Sequence, residues 1–163
     1  MTTIRYPWET PPENGEMIEI AEGVHWLRLP LPMKLDHVNI YVLDDGDGWT
    51  LIDTGMKSRR VQAMWQAVLD GPLRGKPVKR VVATHHQPDH IGFHGWFVEE
   101  FGAAYVSTQV AYLMGRMLTM DIQERYTEGQ IEFYRRAGMR ADLLAARQDE
   151  RPFNFSDIVH PIP

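Results

Sequence analysis

The sequence predicts an α/β (α+β) chain, and three observations carry that prediction. β-rich runs and helix-period stretches alternate as β, α, β, α, β through the middle of the chain. Before them, two β-rich runs flank an acidic, glycine-containing turn. After residue 108 only the helical period persists.

Residues 1–16 hold Pro7, Pro11, Pro12, Asn14 and Gly15, so they are expected to form an extended or mobile arm. Between Met17 and Pro32 apolar residues alternate in two phases. Ile18, Ile20, Val24 and Trp26 share even parity, whereas Leu27, Leu29 and Leu31 share odd parity. The change at Trp26-Leu27 implies a bulge there, or a strand covered on both faces. His25 falls off the even face and is expected in solvent. Val38–Leu43 and Trp49–Asp53, separated by Asp-Asp-Gly-Asp-Gly, form a hairpin. That acidic turn lacks the spacing and the later glutamate of a calcium loop, so it is a solvated turn.

Ser58–Leu69 places apolar residues at 61, 64, 65 and 68, the helical period. Val78–Ala83 is a short buried strand, Ile91–Phe101 a helix and Ala103–Ser107 another short strand. Beyond it, Val110, Leu113, Met114, Met117 and Met120 make an apolar stripe at helical spacing. Core packing is the expectation for that stripe; the alternative is an acyl-binding wall built of adaptable thioethers. Ile131–Ala137 and Arg140–Arg147 are two further helices, broken at Gly138, with Arg135-Arg136 on a solvated face. No internal repeat or low-complexity tract is present.

The chemistry concentrates at residues 84–92, Thr-His-His-Gln-Pro-Asp-His-Ile-Gly, directly after the strand that ends Val-Val-Ala. Imidazoles and a carboxylate are donors that suit zinc, and also iron or manganese in mixed nitrogen and oxygen sites. On an extended segment His85 and Gln87 share a face and His86 points the other way. Gln87 precedes a proline, which keeps it extended, and Pro88 suits a helix start. Asp89 and His90 therefore lie on the first helical turn, displaced from the 85/87 pair. His94, one turn after His90, and His86 are alternative donors. His160 is the one late histidine, in a proline-rich approach to a turn.

This segment resembles the signature of the metallo-β-lactamase superfamily, Thr-His-x-His-x-Asp-His-x-Gly, with Gln87 standing where the family has its second histidine. Asp53-Thr54-Gly55, at the end of the hairpin, resembles the family's Asp-x-Gly. The resemblance implies a metal site of one or two zinc ions, with His85 and residue 87 serving the first and Asp89 and His90 the second. It implies that Asp53 braces the loop from beneath, and that Asp89 also orients the nucleophile. A metal-bound hydroxide would attack an ester, thioester or lactone carbonyl. An amide oxygen is a poorer zinc donor than imidazole, so Gln87 weakens or empties the first site and lowers activity.

The family fold is a four-layer αββα sandwich built from two similar halves, the second of which supplies further ligands. The resemblance covers residues 17–107, as an N-terminal half, and 108–163 more loosely as a helical extension. A half-sandwich exposes one sheet face, which a second copy could cover.

A net charge of −5 argues against a nucleic-acid groove, so a small molecule is the expected substrate. The absence of cysteine excludes disulfides and thiolate ligands and fits a reducing cytoplasm. No stretch of the sequence approaches membrane-spanning length, and no export signal opens it. The expectation is a cytoplasmic metal-dependent hydrolase. The rivals are a degenerate scaffold that serves as a binding or assembly module, and a mononuclear iron or zinc oxidoreductase-type relative such as a sulfur dioxygenase.

Overall fold

β-branched and aromatic residues at alternate positions put six strands into one mixed sheet, and the sheet is what delivers the metal-type loop to its edge. A computed structural model describes Ile4 and residues 7–163. Its strands are β1 (Met17–Ala21), β2 (Val24–Pro30), β3 (His37–Asp44), β4 (Trp49–Ile52), β5 (Val78–Val82) and β6 (Ala104–Val106), lying in sequence order across the sheet. β1 to β4 pair antiparallel; β4, β5 and β6 pair parallel. Parallel neighbours need crossovers. These are helix α1 (Arg59–Asp70) between β4 and β5, and α2 (Pro88–Ile91) with α3 (His94–Phe101) between β5 and β6. Three helices follow: α4 (Gln109–Met120), α5 (Glu128–Arg136) and α6 (Ala141–Asp149).

Residues 17–30 form a hairpin, and both apolar phases run through its second strand without a bulge at Trp26-Leu27, one phase on each face of β2. β1 and β2 turn at Glu22-Gly23, and the register irregularity lies in β1, between Glu19 and Ala21. Within β2, Leu27 and Leu29 face the helices and are fully buried, whereas Trp26 faces the other side. His25 is not in solvent as expected. It is half-buried, its ring stands edge-on to Trp49 at 5.6 Å, and its Nδ1 has no partner.

The core lies between the sheet and α1 and α3. Val61, Trp65 and Val68 of α1 and Phe97 of α3 pack with Leu27, Ile40, Val42, Leu51 and Val81. Ser58 caps α1 by accepting from the Val61 N–H at 3.1 Å. The helix expected over Ile91–Phe101 is divided. Gly92 and Phe93 separate α2 from α3, because the backbone there packs directly on the β4–α1 loop.

The other sheet face is half-open. Ile18, Trp26, Tyr41, Ile52, Val82 and Val106 are in direct register from strand to strand, so one apolar row crosses all six strands. Tyr41 in this row is 38% exposed and Val106 43%.

The stripe on α4 is corrected outright. Val110, Leu113, Met117 and Met120 point outward, with Val110 68% and Met120 69% exposed. The buried face is Ala111, Gly115 and Thr119, at i, i+4 and i+8. Small residues win there because α4 lies close against Ile91 and Ile162; a Cβ at Gly115 would meet both side chains.

The chain ends in a strap. After a 3-10 turn at Phe155–Asp157, Val159 and Ile162 are buried against Ala83 and Ile91. The Lys57 N–H donates to the Ile158 carbonyl at 2.9 Å and the His160 N–H to the Gly92 carbonyl at 2.9 Å. Of the arm expected over 1–16, residues 1–3 and 5–6 lie outside the described residues. In the rest, Asn14 bridges to Arg28, and the Gly15 N–H donates to the Arg28 carbonyl at 2.8 Å.

Candidate metal centre

β4 and β5 run parallel and end side by side, so the Asp53-Thr54-Gly55 turn and the 84–92 loop meet at one sheet edge. The Asp53 N–H continues the ladder, donating to the Val82 carbonyl at 2.9 Å. Asp53 itself adopts a left-handed backbone, φ 62°, a conformation aspartate tolerates better than most residues. The chain thereby turns and places the Asp53 carboxylate, 4% exposed, beneath the loop.

Asp53 holds the loop by three hydrogen bonds. Its Oδ1 accepts from the Thr84 N–H at 2.9 Å, and its Oδ2 accepts from the Thr84 hydroxyl at 2.7 Å and from His90 Nδ1 at 2.8 Å. Burial disfavours the Asp53 charge, but these bonds outweigh burial and hold the carboxyl below its usual range. Burial likewise disfavours protonated His90, and the hydrogen bond and charge of Asp53, with Asp89, outweigh it and raise His90.

The hydrogen bonds also set the tautomers. Thr84 has one proton and gives it to Asp53, so its oxygen accepts from His85 Nδ1–H at 2.9 Å. His90 donates Nδ1–H to Asp53 directly. Both rings therefore have Nδ1 tied to one carboxylate and present Nε2 outward, with ring centroids 3.9 Å apart. Gln87 Oε1 lies 3.1 Å from His85 Nε2, and Asp89 Oδ2 lies 3.3 Å from His90 Nε2. The Gln87 amide thus caps His85 Nε2, and which of its two atoms faces the ring follows from the His85 protonation, since amide orientation is assigned from its partners. Pro88 opens α2 at its first position, with Gln87 extended at φ −67° and ψ 146°, as the sequence led one to expect.

The structure thus gathers His85, Gln87, Asp89 and His90 above Asp53. His86 is half-buried and takes no part in the bonds that join them. His94 does not join them either. It is fully buried below the loop, with Nδ1 2.8 Å from the Thr54 hydroxyl and Nε2 unpartnered. His160 packs its ring on Phe93 at 5.2 Å. Sequence reasoning gave no role to Thr84, whose place as the first residue of the motif was the available signal. Nor did it find the strap that pins residues 57 and 92, which no local pattern marks.

Burial above all pushes His94 down to about 4, so it is neutral in the fold. Its folded value lies below its unfolded one. The unfolded chain therefore binds the extra proton, and stability is lost as pH falls from about 6.5 to about 4, by about 3 kcal/mol. We expect urea unfolding of the His94→Gln variant to show a shallower acid slope than wild type across that window. Parallel slopes would reject a buried neutral histidine.

Residues 33–161 match the family described as the metallo-beta-lactamase superfamily. The chain belongs to the metallo-β-lactamase superfamily. A probable metallo-hydrolase, YqjP of Bacillus subtilis, is 28% identical over 107 residues, which is 65% of this chain and 33% of that protein. The crystal structure of a beta-lactamase domain protein from Burkholderia ambifaria superposes with a TM-score of 0.70 at 31% identity, over 97% of this chain and 45% of that one. A metallo-beta-lactamase family protein of Thermus thermophilus shares the fold, with a TM-score of 0.66 at 24% identity over 89% of this chain and 45% of its own. The chain therefore spans less than half the length of these relatives. The superfamily is one of metal-dependent hydrolases, and imidazole and carboxylate are donor types that suit such a metal. Among the described residues no group of three or more His, Asp or Glu side chains is placed to hold a metal ion. Among them, too, no helix is long and apolar enough to cross a membrane.

Proposed function

We propose that this chain carries the metal-loop half of a hydrolase acting on a small-molecule ester, thioester or lactone. The observation that supports it is the shared anchoring of His85 and His90 on Asp53, which leaves both Nε2 atoms outward beside Asp89. His85, Asp89 and His90 would hold zinc, with iron or manganese as alternatives, and Gln87 would contribute an amide oxygen at best. When bound, the metal supplies a hydroxide at neutral pH and polarises the carbonyl. Asp89 orients the attacking water, and Asp53 fixes the tautomer of His90 and, through Thr84, that of His85.

Elemental analysis of the purified chain for zinc, iron and manganese, with its mass in solution, is the test. Near-stoichiometric metal, followed by hydrolysis of a thioester, ester or lactone panel, supports the reading. If neither this chain nor any longer protein containing it hydrolyses such substrates, even with metal supplied and Gln87→His, the reading fails. A doubled mass would support a second copy seated on the apolar row of the sheet.

Asp53→Asn separates bracing from mere packing. The amide has no second acceptor oxygen and would offer an N–H to His90 Nδ1, moving the His90 proton to Nε2. We expect zinc affinity to fall about 10–100-fold, with the melting temperature nearly unchanged. An unaltered affinity would remove Asp53 from the proposed role.

A non-catalytic scaffold is favoured by one observation, the contact of Gln87 with His85 Nε2. That contact occupies the nitrogen a metal would need.

A further inference from the structure

A cavity lies where the C-terminal helices meet, away from the metal loop. The end of α4, α5, α6 and residues 152–155 enclose about 470 Å3. Arg147 of α6 lies over the rings of Tyr126 and Tyr134, its guanidinium carbon 5.3 and 5.4 Å from their centroids, and the two rings meet edge-to-face at 6.0 Å. It also donates to the Tyr126 hydroxyl.

Four arginines of this region have carboxylate partners. Arg135 and Arg136 share Glu132, Arg140 takes Asp142, and Arg151 takes Asp157. Among the described residues no carboxylate pairs with the half-buried Arg147. A guanidinium held against two aromatic rings and lacking a counter-ion presents its remaining N–H groups as a fork suited to a carboxylate. Leu118 and Phe153 give the cavity apolar walls. Asp121 lines it too, so a second negative charge on a ligand would be repelled.

We propose that this cavity binds a small apolar or aryl monocarboxylate, with its carboxylate on Arg147 and its body against Leu118 and Phe153. None of its lining residues belongs to the metal loop, so the inference stands apart from the hydrolase reading.

Calorimetric titration of the full chain with phenylacetate tests it, with 2-phenylethanol and phenyl phosphate as comparison ligands. We expect saturable one-site binding of phenylacetate, weaker binding of phenyl phosphate, and none of the alcohol. Arg147→Met should weaken phenylacetate about tenfold or more, the loss expected for a charge-assisted contact. Phe153→Ala, at a 67% exposed position where folding is safe, should weaken it by a smaller factor. The proposal is overturned if phenylacetate gives no saturable heat, if Arg147→Met binds it as wild type does, or if phenyl phosphate binds more tightly.

Discussion

Gln87→His is expected to tighten zinc binding about 100-fold or more, beyond the 10–100-fold typical of changes outside the ligand shell. The geometry makes the direction clear. Residue 87 is exposed and its side chain already reaches His85 Nε2, at 3.1 Å. An imidazole there adds a second nitrogen donor beside His85 and removes the amide that caps its Nε2. Thr84 and Asp53 still hold His85 with Nε2 outward. Competition against a chromophoric chelator reads the affinity directly. Should wild type and variant bind zinc equally, position 87 plays no part in the site.

The second large effect is on stability. Gly92 of the motif lies against the β4–α1 loop so closely that a Cβ would overlap the Gly55 carbonyl, the Met56 Cα and the Lys57 nitrogen. All three are backbone atoms, which do not rotate away. Gly92→Ala should therefore cost about 3 kcal/mol, at the upper end of overpacking penalties. For a chain of this size that lowers the melting temperature by roughly 10 °C. Gly129→Ala is the control, since only the Thr127 hydroxyl comes within 4.0 Å of its Cβ and helix propensity favours the change. Equal melting of Gly92→Ala and wild type would show that the two loops do not pack as described.

The motif glycine thus has a local letter and a tertiary cause, and the same division runs through the molecule. The hairpin, the order β, α, β, α, β, the proline-started turn at Pro88 and the helices broken at Gly138 were legible because each depends on neighbours a few residues away. So was the cluster at 84–92, whose residue types and spacing name their chemistry and, through the resemblance, the family. The exposed stripe of α4 was not legible. Periodicity shows that a helix has an apolar side, but not that Ala111, Gly115 and Thr119 allow a closer approach on the other side. His94 shares a helical spacing with His90, yet packing on Thr54 buried it.

By itself the sequence determined the family, the strands that lead into the loop and the identity of the candidate donors, including the one neutral amide among them. Only the tertiary structure decided how those side chains are held. A single buried carboxylate, thirty-odd residues upstream, sets the tautomer of one imidazole directly and of the other through a hydroxyl. Hydrogen-bond direction depends on which atoms meet in space, and no spacing along a chain contains that.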